Sequence, residues 1–126
     1  MIIRNQTPKG GTELQFSYLE KYVDKKILDQ VQITTSVPEV PIDPNKLNIL
    51  WQKNSWDQAN LYPWFKDKNN HKQYDWYVFN SHWNFEKFRM MFGLPLEKCV
   101  VIKNGIEQIQ KAKPYKKGQP IRIIHQ

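Results

Sequence analysis

Apolar and polar residues along the chain follow two rhythms, one typical of buried strands and one typical of amphipathic helices. Short runs rich in β-branched residues predict strands at MIIR, VQITTSV, LNILW, DWYVFN and KCVVIKN. Helical spacing between them predicts helices at ELQFSYLEKYVDKKIL and SHWNFEKFRMMF, with a shorter helix in SWDQANLYPWF that stops before Pro63. Strands that alternate with helices indicate an α/β fold with a largely parallel sheet, Rossmann-like in its layers.

The first predicted helix carries an apolar stripe and a polar start. Thr12 is suited to cap its N-terminus, since a hydroxyl can accept a hydrogen bond from a free backbone amide. Five residues at i, i+4 spacing form the stripe expected to face the sheet: Leu14, Tyr18, Leu19, Tyr22 and Val23.

The second long helix is bounded by clear signals at both ends. Ser81 is a predicted N-cap, and Gly93 followed by Pro95 predicts the end of the helix. Three phenylalanines that recur at helical spacing are expected to pack on the sheet: Phe85, Phe88 and Phe92. A second face combines aromatic, basic and thioether side chains and would meet a membrane, a second domain or a substrate: Trp83, Lys87 and Met90.

Composition limits the class of protein. A chain of 126 residues, 25% charged and 40% hydrophobic, fits one small globular domain. Its single cysteine, Cys99, excludes an internal disulfide and a cysteine-rich metal site. No apolar run approaches the roughly 20 residues that span a bilayer, and the N-terminus lacks a signal-like apolar core. These features predict a cytoplasmic protein, with any membrane contact peripheral.

The net charge of +7 favours partners that carry phosphate: nucleic acid, nucleotides or anionic lipid surfaces. Charge alone does not choose among them. The mixture of aromatic and basic residues also suits single-stranded nucleic acid, although no known RNA-binding motif is present. A small basic module that binds nucleic acid or an anionic membrane therefore stands as one functional alternative.

Ligands of parallel α/β sheets bind beyond the carboxyl ends of the strands, which directs attention to the loops there. Three loops follow predicted strands, at residues 7–12, 51–56 and 80–83, and Asn104 with Gly105 ends a fourth strand on the same side. The PKGGTE segment has two interpretations. Its glycines and helix N-terminus could approach a phosphate, or Gly-Gly could simply form a tight turn with positive φ.

Catalytic patterns are sparse. The histidines at 71, 82 and 125 fit no standard metal motif, so no metal site is predicted. Among them His82 is the candidate base because of its position in a strand–helix loop. Neither a Ser/His/Asp order nor a pair of carboxylates is evident, so no catalytic residue is assigned.

Several signals for the ends of strands and helices occur together in the last third of the chain. A strand ends at Ser81 to Trp83, a helix stops at Gly93-Leu94-Pro95, and a KCVVIKNGI run leads into a lysine-rich linker. This order resembles the end of the N-terminal domain of family 4 glycosyltransferases, which have the GT-B fold. The GGTE segment at Gly10 to Glu13 is similar to the glycine loop after that family's first strand.

The resemblance implies an enzyme that transfers a sugar from a nucleotide-sugar to a glycan or lipid-linked acceptor, with retained configuration and without a metal or cofactor. Gly10, Gly11 and Thr12 would contact phosphate or sugar. Residues of two further loops would line the acceptor side: Trp51, Gln52, Asn54, Ser81, His82 and Trp83. Asn104 and Gly105 would lie near the hinge between domains.

The resemblance also implies a domain division. Residues 1–106 would form the Rossmann-like acceptor-side domain, residues 107–120 a basic linker, and residues 121–126 the first strand of a second domain. Since that second domain normally binds the donor, the 126-residue chain alone is expected to be inactive. The final apolar strand would pack on a sheet edge or pair with another chain, which predicts self-association.

Overall fold

The structure, a computed structural model, describes residues 2–3, 10–108, 114 and 116–120. Its five strands are β1 (Ile2–Ile3), β2 (Val31–Thr35), β3 (Leu47–Gln52), β4 (Trp76–Phe79) and β5 (Cys99–Val101). They form one sheet in sequence order, and each strand is parallel to its neighbour. The α/β class and the parallel sheet are confirmed. The strand predicted at IRIIH lies outside the described residues.

The described residues form four α-helices: α1 (Gly11–Tyr22), α2 (Lys25–Leu28), α3 (Tyr62–Lys66) and α4 (His82–Phe92). The prediction of one continuous helix through ELQFSYLEKYVDKKIL is wrong. The chain leaves the helix at Val23, and Asp24 starts a new one by accepting a hydrogen bond from the Lys26 amide at 2.8 Å. An Asp side chain favours such a cap over a helix interior.

The prediction that the short helix stops before Pro63 is also wrong. Pro63 lies in the first turn of α3, where a backbone N–H would have no helical partner in any case. The segment after α3 forms a 3-10 helix at Lys68–Lys72, capped by the Asp67 carboxylate.

Two apolar layers cover the sheet. On one side, here called the α1 face, Phe16 packs on a cluster of strand residues: Val31, Ile33, Trp51 and Val78. On the other side, the α4 face, residues of α3 and α4 pack on the alternate strand positions: Leu50, Tyr77 and Phe79. Because side chains alternate along a strand, neighbouring residues of β3 serve opposite layers. Both faces of the sheet are therefore covered, as in a doubly covered parallel sheet.

The packing of α1 differs from the predicted stripe. Phe16 is fully buried, and its ring meets Trp51 edge-on at 5.9 Å between centroids. Leu14 and Tyr22, two of the five stripe residues, are exposed. The helix therefore lies rotated toward Phe16, whose wholly apolar ring is buried against Trp51, whereas Tyr22 keeps its hydroxyl at the surface, where it bonds Glu107.

The predicted ends and packing of α4 are confirmed. The Ser81 hydroxyl accepts the Asn84 backbone amide at 3.1 Å, and Gly93 ends the helix with φ of +66°. Phe88 and Phe92 are buried on the sheet, and Phe85 packs partly against the same cluster. On the other side of the helix, Trp83 and Met90 are exposed, as expected.

Beyond β5 the chain leaves the sheet and runs along α1. The Ile102 amide still donates to the Phe79 carbonyl at 2.8 Å, which ends the ladder. Gln15 of α1 then donates its side-chain amide to the Gly105 carbonyl at 2.9 Å, and both Lys21 and Tyr22 bond the Glu107 carboxylate. Residues 102–108, here called the strap, therefore form a third wall beside α1 and the sheet.

Candidate functional site

The carboxyl ends of β3, β4 and β5 bring three loops to one edge of the sheet. Ligands of α/β sheets bind beyond the carboxyl ends of the strands, which makes this edge the candidate site. The predicted site residues at this edge fall into two groups, one on the α1 face and one on the α4 face.

A lysine that the sequence analysis did not single out lies at the centre of the first group. Lys53 follows β3, and its Nζ donates to the Asn104 Oδ1 at 2.7 Å. The same amine lies 3.4 Å from the centroid of the Trp51 ring. Lys53 thus contacts two predicted site residues, Trp51 and Asn104. The next residue, Gly105, accepts a hydrogen bond from the side chain of Gln15 in α1. We call Trp51, Lys53 and Asn104 the lysine cluster.

Burial changes the proton affinity of this lysine. Because its amine is partly withdrawn from water, the pKa of Lys53 falls to about 8 from its ordinary value of 10.5. The Trp51 ring and the Asn104 oxygen favour the charged form, but the loss of solvation outweighs them. Lys53 is therefore a cation at neutral pH whose amine would be better solvated by an anion than by its present neighbours.

Two buried polar atoms lie beside the lysine cluster. Thr35 at the end of β2 pairs with Trp51 across the sheet, and both side chains are at least nine-tenths buried. Among the described residues, neither the Thr35 hydroxyl nor the Trp51 indole N–H has a hydrogen-bond partner. Buried polar groups in folded proteins normally have a hydrogen-bond partner in the protein, in water or in a ligand. A polar group that reached this position could therefore form hydrogen bonds with both atoms.

The second group is built from side-chain amides and opens on the α4 side. Asn84 of α4 donates to the Asn54 carbonyl at 3.2 Å, and the Gln52 oxygen accepts the Asn54 amide at 3.3 Å. Gln52 also donates to the Ser36 carbonyl at 3.3 Å. Asn84 Oδ1 is buried without a partner among the described residues. Gln52, Asn54 and Ser81 are therefore close to one another, and Asn84 is a further member that the sequence analysis missed.

The structure decides one of the two interpretations of the glycine segment of α1. Gly10 has an extended φ of −123°, and neither Gly10 nor Gly11 has positive φ, so the tight-turn interpretation is wrong. Gly10 takes the N-cap position predicted for Thr12, which lies in the first turn. The Gly10 amide donates to the Glu13 carboxylate at 2.9 Å, so an incoming phosphate would have to displace that carboxylate. Residues 7–9 of this loop lie outside the described residues.

The histidine and tryptophan at the start of α4 lie on the surface. His82 is exposed, and Trp83 is 61% exposed with the Lys87 amine 5.8 Å from its ring centroid. No hydrogen bond or ring contact in the described part of the chain joins either residue to the lysine cluster. His71, by contrast, is buried, and its Nε2 lies 2.7 Å from the Phe65 carbonyl, which gives it a structural role.

A cavity adjoins the lysine cluster on the α1 face. Its volume is about 580 Å³, within the range of small-molecule sites, and Trp51 and Gly105 belong to both the cavity wall and the edge of the sheet. Apolar side chains from α1, the sheet and the strap form most of its wall: Leu19, Val23, Ile33, Ile49, Val78, Ile102 and Ile106. No local sequence pattern predicts this cavity, because it is created by the path of the strap along α1.

Comparison of the chain with protein-family models, with curated proteins and with solved structures found no match. Within the described residues, no three His, Cys, Asp or Glu side chains are grouped closely enough to hold a metal ion. None of the helices described here has the length and apolar character needed to cross a membrane. The proposed function therefore rests on the geometry of the site and on the sequence motifs.

Proposed function

We propose that this chain is the acceptor-side domain of a GT-B glycosyltransferase, which moves a sugar from a nucleotide-sugar donor to an acceptor. One observation carries the proposal: the Lys53–Asn104 contact joins the loops after β3 and β5 at the carboxyl edge of a parallel sheet. These are the loops that the resemblance to family 4 glycosyltransferases assigns to the acceptor side and the hinge. The proposal is supported by two features together: the order of motifs along the chain and the contact between the two loops that those motifs contain.

The chemistry of sugar transfer suits a half-buried lysine at this position. When the bond between the sugar and the diphosphate breaks, negative charge grows on the departing phosphate oxygen. A fixed cation in a partly dehydrated site stabilises that charge more strongly than water does. Lys53 supplies such a cation, and Asn104 holds it in place before the substrate arrives.

The amide group beside the lysine cluster suits a hydroxylated substrate. Gln52 is fully buried and its amide is already bonded within the protein, so the groups left for sugar hydroxyls are the half-buried Asn54 and the unpartnered Asn84 Oδ1. A site that pairs such groups discriminates strongly against ligands that leave them unpaired. The two groups together would hold a diphosphate and an acceptor hydroxyl at neighbouring positions of this edge of the sheet.

The proposal is tested by assaying sugar transfer with the protein expressed from its complete reading frame. Release of nucleoside diphosphate would be measured across a panel of nucleotide-sugars, with saccharide and lipid-linked acceptors. We expect release with at least one donor and dependence on acceptor. A folded protein that releases no nucleoside diphosphate from any donor would contradict the proposal.

The same preparation separates this function from a nucleic-acid module. Eight aromatic rings are buried in the two layers and are therefore not available for stacking on bases: Phe16, Trp51, Phe65, Phe79, Phe88, Phe92, Tyr74 and Tyr77. We expect weak binding to single-stranded oligonucleotides. Tight binding that falls steeply as salt rises would instead indicate a basic nucleic-acid-binding protein.

A further inference from the structure

We propose that Asn104 is a modification site, where the protein converts its own side-chain amide to a carboxylate by deamidation and Lys53 assists the reaction. The reaction is separate from sugar transfer and does not depend on the proposed function. One arrangement carries the proposal: the Lys53 amine donates to the Asn104 Oδ1 at 2.7 Å, and the residue after Asn104 is a glycine.

Deamidation needs a backbone nitrogen that can reach the carbon of the side-chain amide. The Gly105 nitrogen attacks Cγ of Asn104, its proton passes to water, and the side-chain nitrogen leaves as ammonia. The resulting cyclic succinimide then takes up water, which opens the ring to an aspartate or an isoaspartate. Overall an amide and a water are consumed, and a carboxylate and an ammonium ion are produced.

Gly105 leaves its nitrogen open to this attack. Asn104 and Gly105 are both exposed on the strap, and a glycine has no Cβ to obstruct the approach of the preceding side chain. Within the described residues the Gly105 N–H donates no hydrogen bond, whereas its carbonyl accepts one from Gln15 at 2.9 Å. The glycine is therefore held through its carbonyl while its nitrogen stays accessible.

Lys53 makes the side-chain carbonyl of Asn104 more reactive. When the nitrogen adds to Cγ, negative charge develops on Oδ1, which is the atom that Lys53 contacts. A cation fixed at that oxygen in a partly dehydrated position stabilises the charge more strongly than water does. The Lys53 amine lies over the Trp51 ring, and it forms no salt bridge in the described part of the chain that would neutralise it.

Two other exposed asparagines, Asn60 and Asn69, lack this arrangement. Each is followed by a residue with a side chain, and the amide nitrogen of that residue is already bonded. The Leu61 and Asn70 amides each donate to the carbonyl three residues earlier at 3.0 Å. Asn60 and Asn69 are therefore internal references for the reaction at Asn104.

Deamidation would change the lysine cluster. The oxygen that Lys53 contacts would become part of a carboxylate, and an opposite charge at hydrogen-bond distance favours the ammonium form of the lysine. The cation would then be paired within the protein and less available to a phosphate. A slower sugar transfer by the modified protein follows as well, a consequence that rests on the proposed function.

The direct test follows deamidation by peptide mass mapping while the folded 126-residue chain is held at neutral pH, with isoaspartate detected by enzymatic methylation. We expect Asn104 to react at least tenfold faster than Asn60 or Asn69 in the same sample. Its rate in the folded chain should be no lower than in urea, where the contact with Lys53 is lost. A rate equal to that of Asn69, or a lower rate in the folded chain than in urea, would overturn the proposal.

Two variants separate the contributions of the glycine and the lysine. Gly105→Ala adds a Cβ where no heavy atom lies within 4 Å, so it should fold normally and slow deamidation at least tenfold. Lys53→Met should slow the reaction at least tenfold in native buffer and leave the rate in urea unchanged. Lys53→Arg should retain part of the rate, and Lys46→Met should match wild type.

The opposite result for Lys53→Met would be decisive. Deamidation as fast as in wild type, or faster, would show that the contact restrains Asn104 instead of activating it, and would overturn the proposal. If Lys53→Met fails to fold, the comparison of folded and urea-unfolded wild type still tests the contact.

Failure of this inference is distinguishable from failure of the proposed function, because deamidation is measured without any substrate. Asn104→Asp reproduces the product side chain and should slow acylation of Lys53 by acetic anhydride, since only the neutral amine reacts. Slower acylation without loss of sugar transfer would support the modified cluster and contradict the role of Lys53 in the enzyme. An active glycosyltransferase whose Asn104 stays unmodified would overturn the modification and leave the enzyme standing.

Discussion

Lys53 illustrates how one residue can link fold and function. Its position was visible in the sequence, inside a loop that follows a predicted strand, but its importance was not. Residues 51 and 53 point to the same face because side chains alternate along an extended chain, which places the amine over the Trp51 ring. Its contact with Asn104 depends on β5 lying two strands away from β3, a relation that no local pattern contains.

The lowered pKa of Lys53 predicts a specific dependence of stability on pH. Between about pH 8 and 10.5 the unfolded chain keeps the lysine proton and the folded chain has lost it. Stability therefore rises with pH in this window, because the unfolded state binds more protons. The penalty of burying the charge is fully present below pH 8 and absent above 10.5.

Denaturant unfolding of wild type and Lys53→Met across this pH range measures the effect. We expect the methionine variant to lack the rise that Lys53 causes. The free energy of unfolding of wild type should therefore increase relative to that of Lys53→Met between pH 8 and 10.5. Lys46→Met, at the opposite edge of the sheet, should follow wild type. A constant difference between wild type and Lys53→Met would show that Lys53 titrates normally.

Cys99 provides a second prediction at the scale of a residue. Burial raises the pKa of its thiol to about 11, and the sulfur donates to the Pro95 carbonyl at 3.3 Å. Since the thiolate is the reactive form, alkylation at pH 8 should be at least tenfold slower in the folded chain than in urea. Labelling at the unfolded rate in native buffer would contradict the burial of this side chain.

At the scale of elements, the strands and α4 could be predicted because local signals and tertiary packing agree. Ser81 and Gly93 bound α4 by mechanisms that need only neighbouring backbone groups. The break between α1 and α2 could not be predicted with the same ease. The apolar spacing continues through Val23, so only the competing cap at Asp24 ends the helix.

The cap of α4 has a measurable energetic role. Ser81→Ala removes the acceptor of the Asn84 amide and should lower the free energy of unfolding by about 1 kcal/mol. Ser17→Ala is the matched control, since that hydroxyl bonds the Leu14 carbonyl within α1 and caps nothing. We expect the control to change stability by less than about 0.5 kcal/mol. Equal losses in both variants, measured by urea unfolding, would contradict the assigned cap.

At the scale of the molecule, the site was only partly accessible from sequence. The rule that ligands bind beyond the carboxyl ends of parallel strands identified the loops containing Trp51, Asn54 and Asn104. Two features that complete the site depend on three-dimensional register: Thr35 lies beside Trp51 through strand pairing, and the strap encloses a cavity by running along α1. The predicted division at residues 106 and 120 remains a prediction, because residues 109–113 and 121–126 lie outside the described residues.

The net charge of +7 acquires a more specific meaning from the structure. Several phosphate-bearing partners were compatible with the charge alone. The lysine cluster places one partly buried cation at the carboxyl edge of the sheet, next to an apolar cavity. A charge spread evenly over the surface would instead favour a long polyanion.

The most direct test of the central claim is sugar transfer by Lys53 variants of the protein from the complete reading frame. The account predicts that Lys53→Met lowers kcat on the order of 100-fold, because it removes a donor to the departing phosphate. Lys53→Arg should retain part of the rate, and Lys46→Met should match wild type. A fully active Lys53→Met enzyme, or an equal loss in Lys46→Met, would contradict the claim that transfer occurs at the lysine cluster.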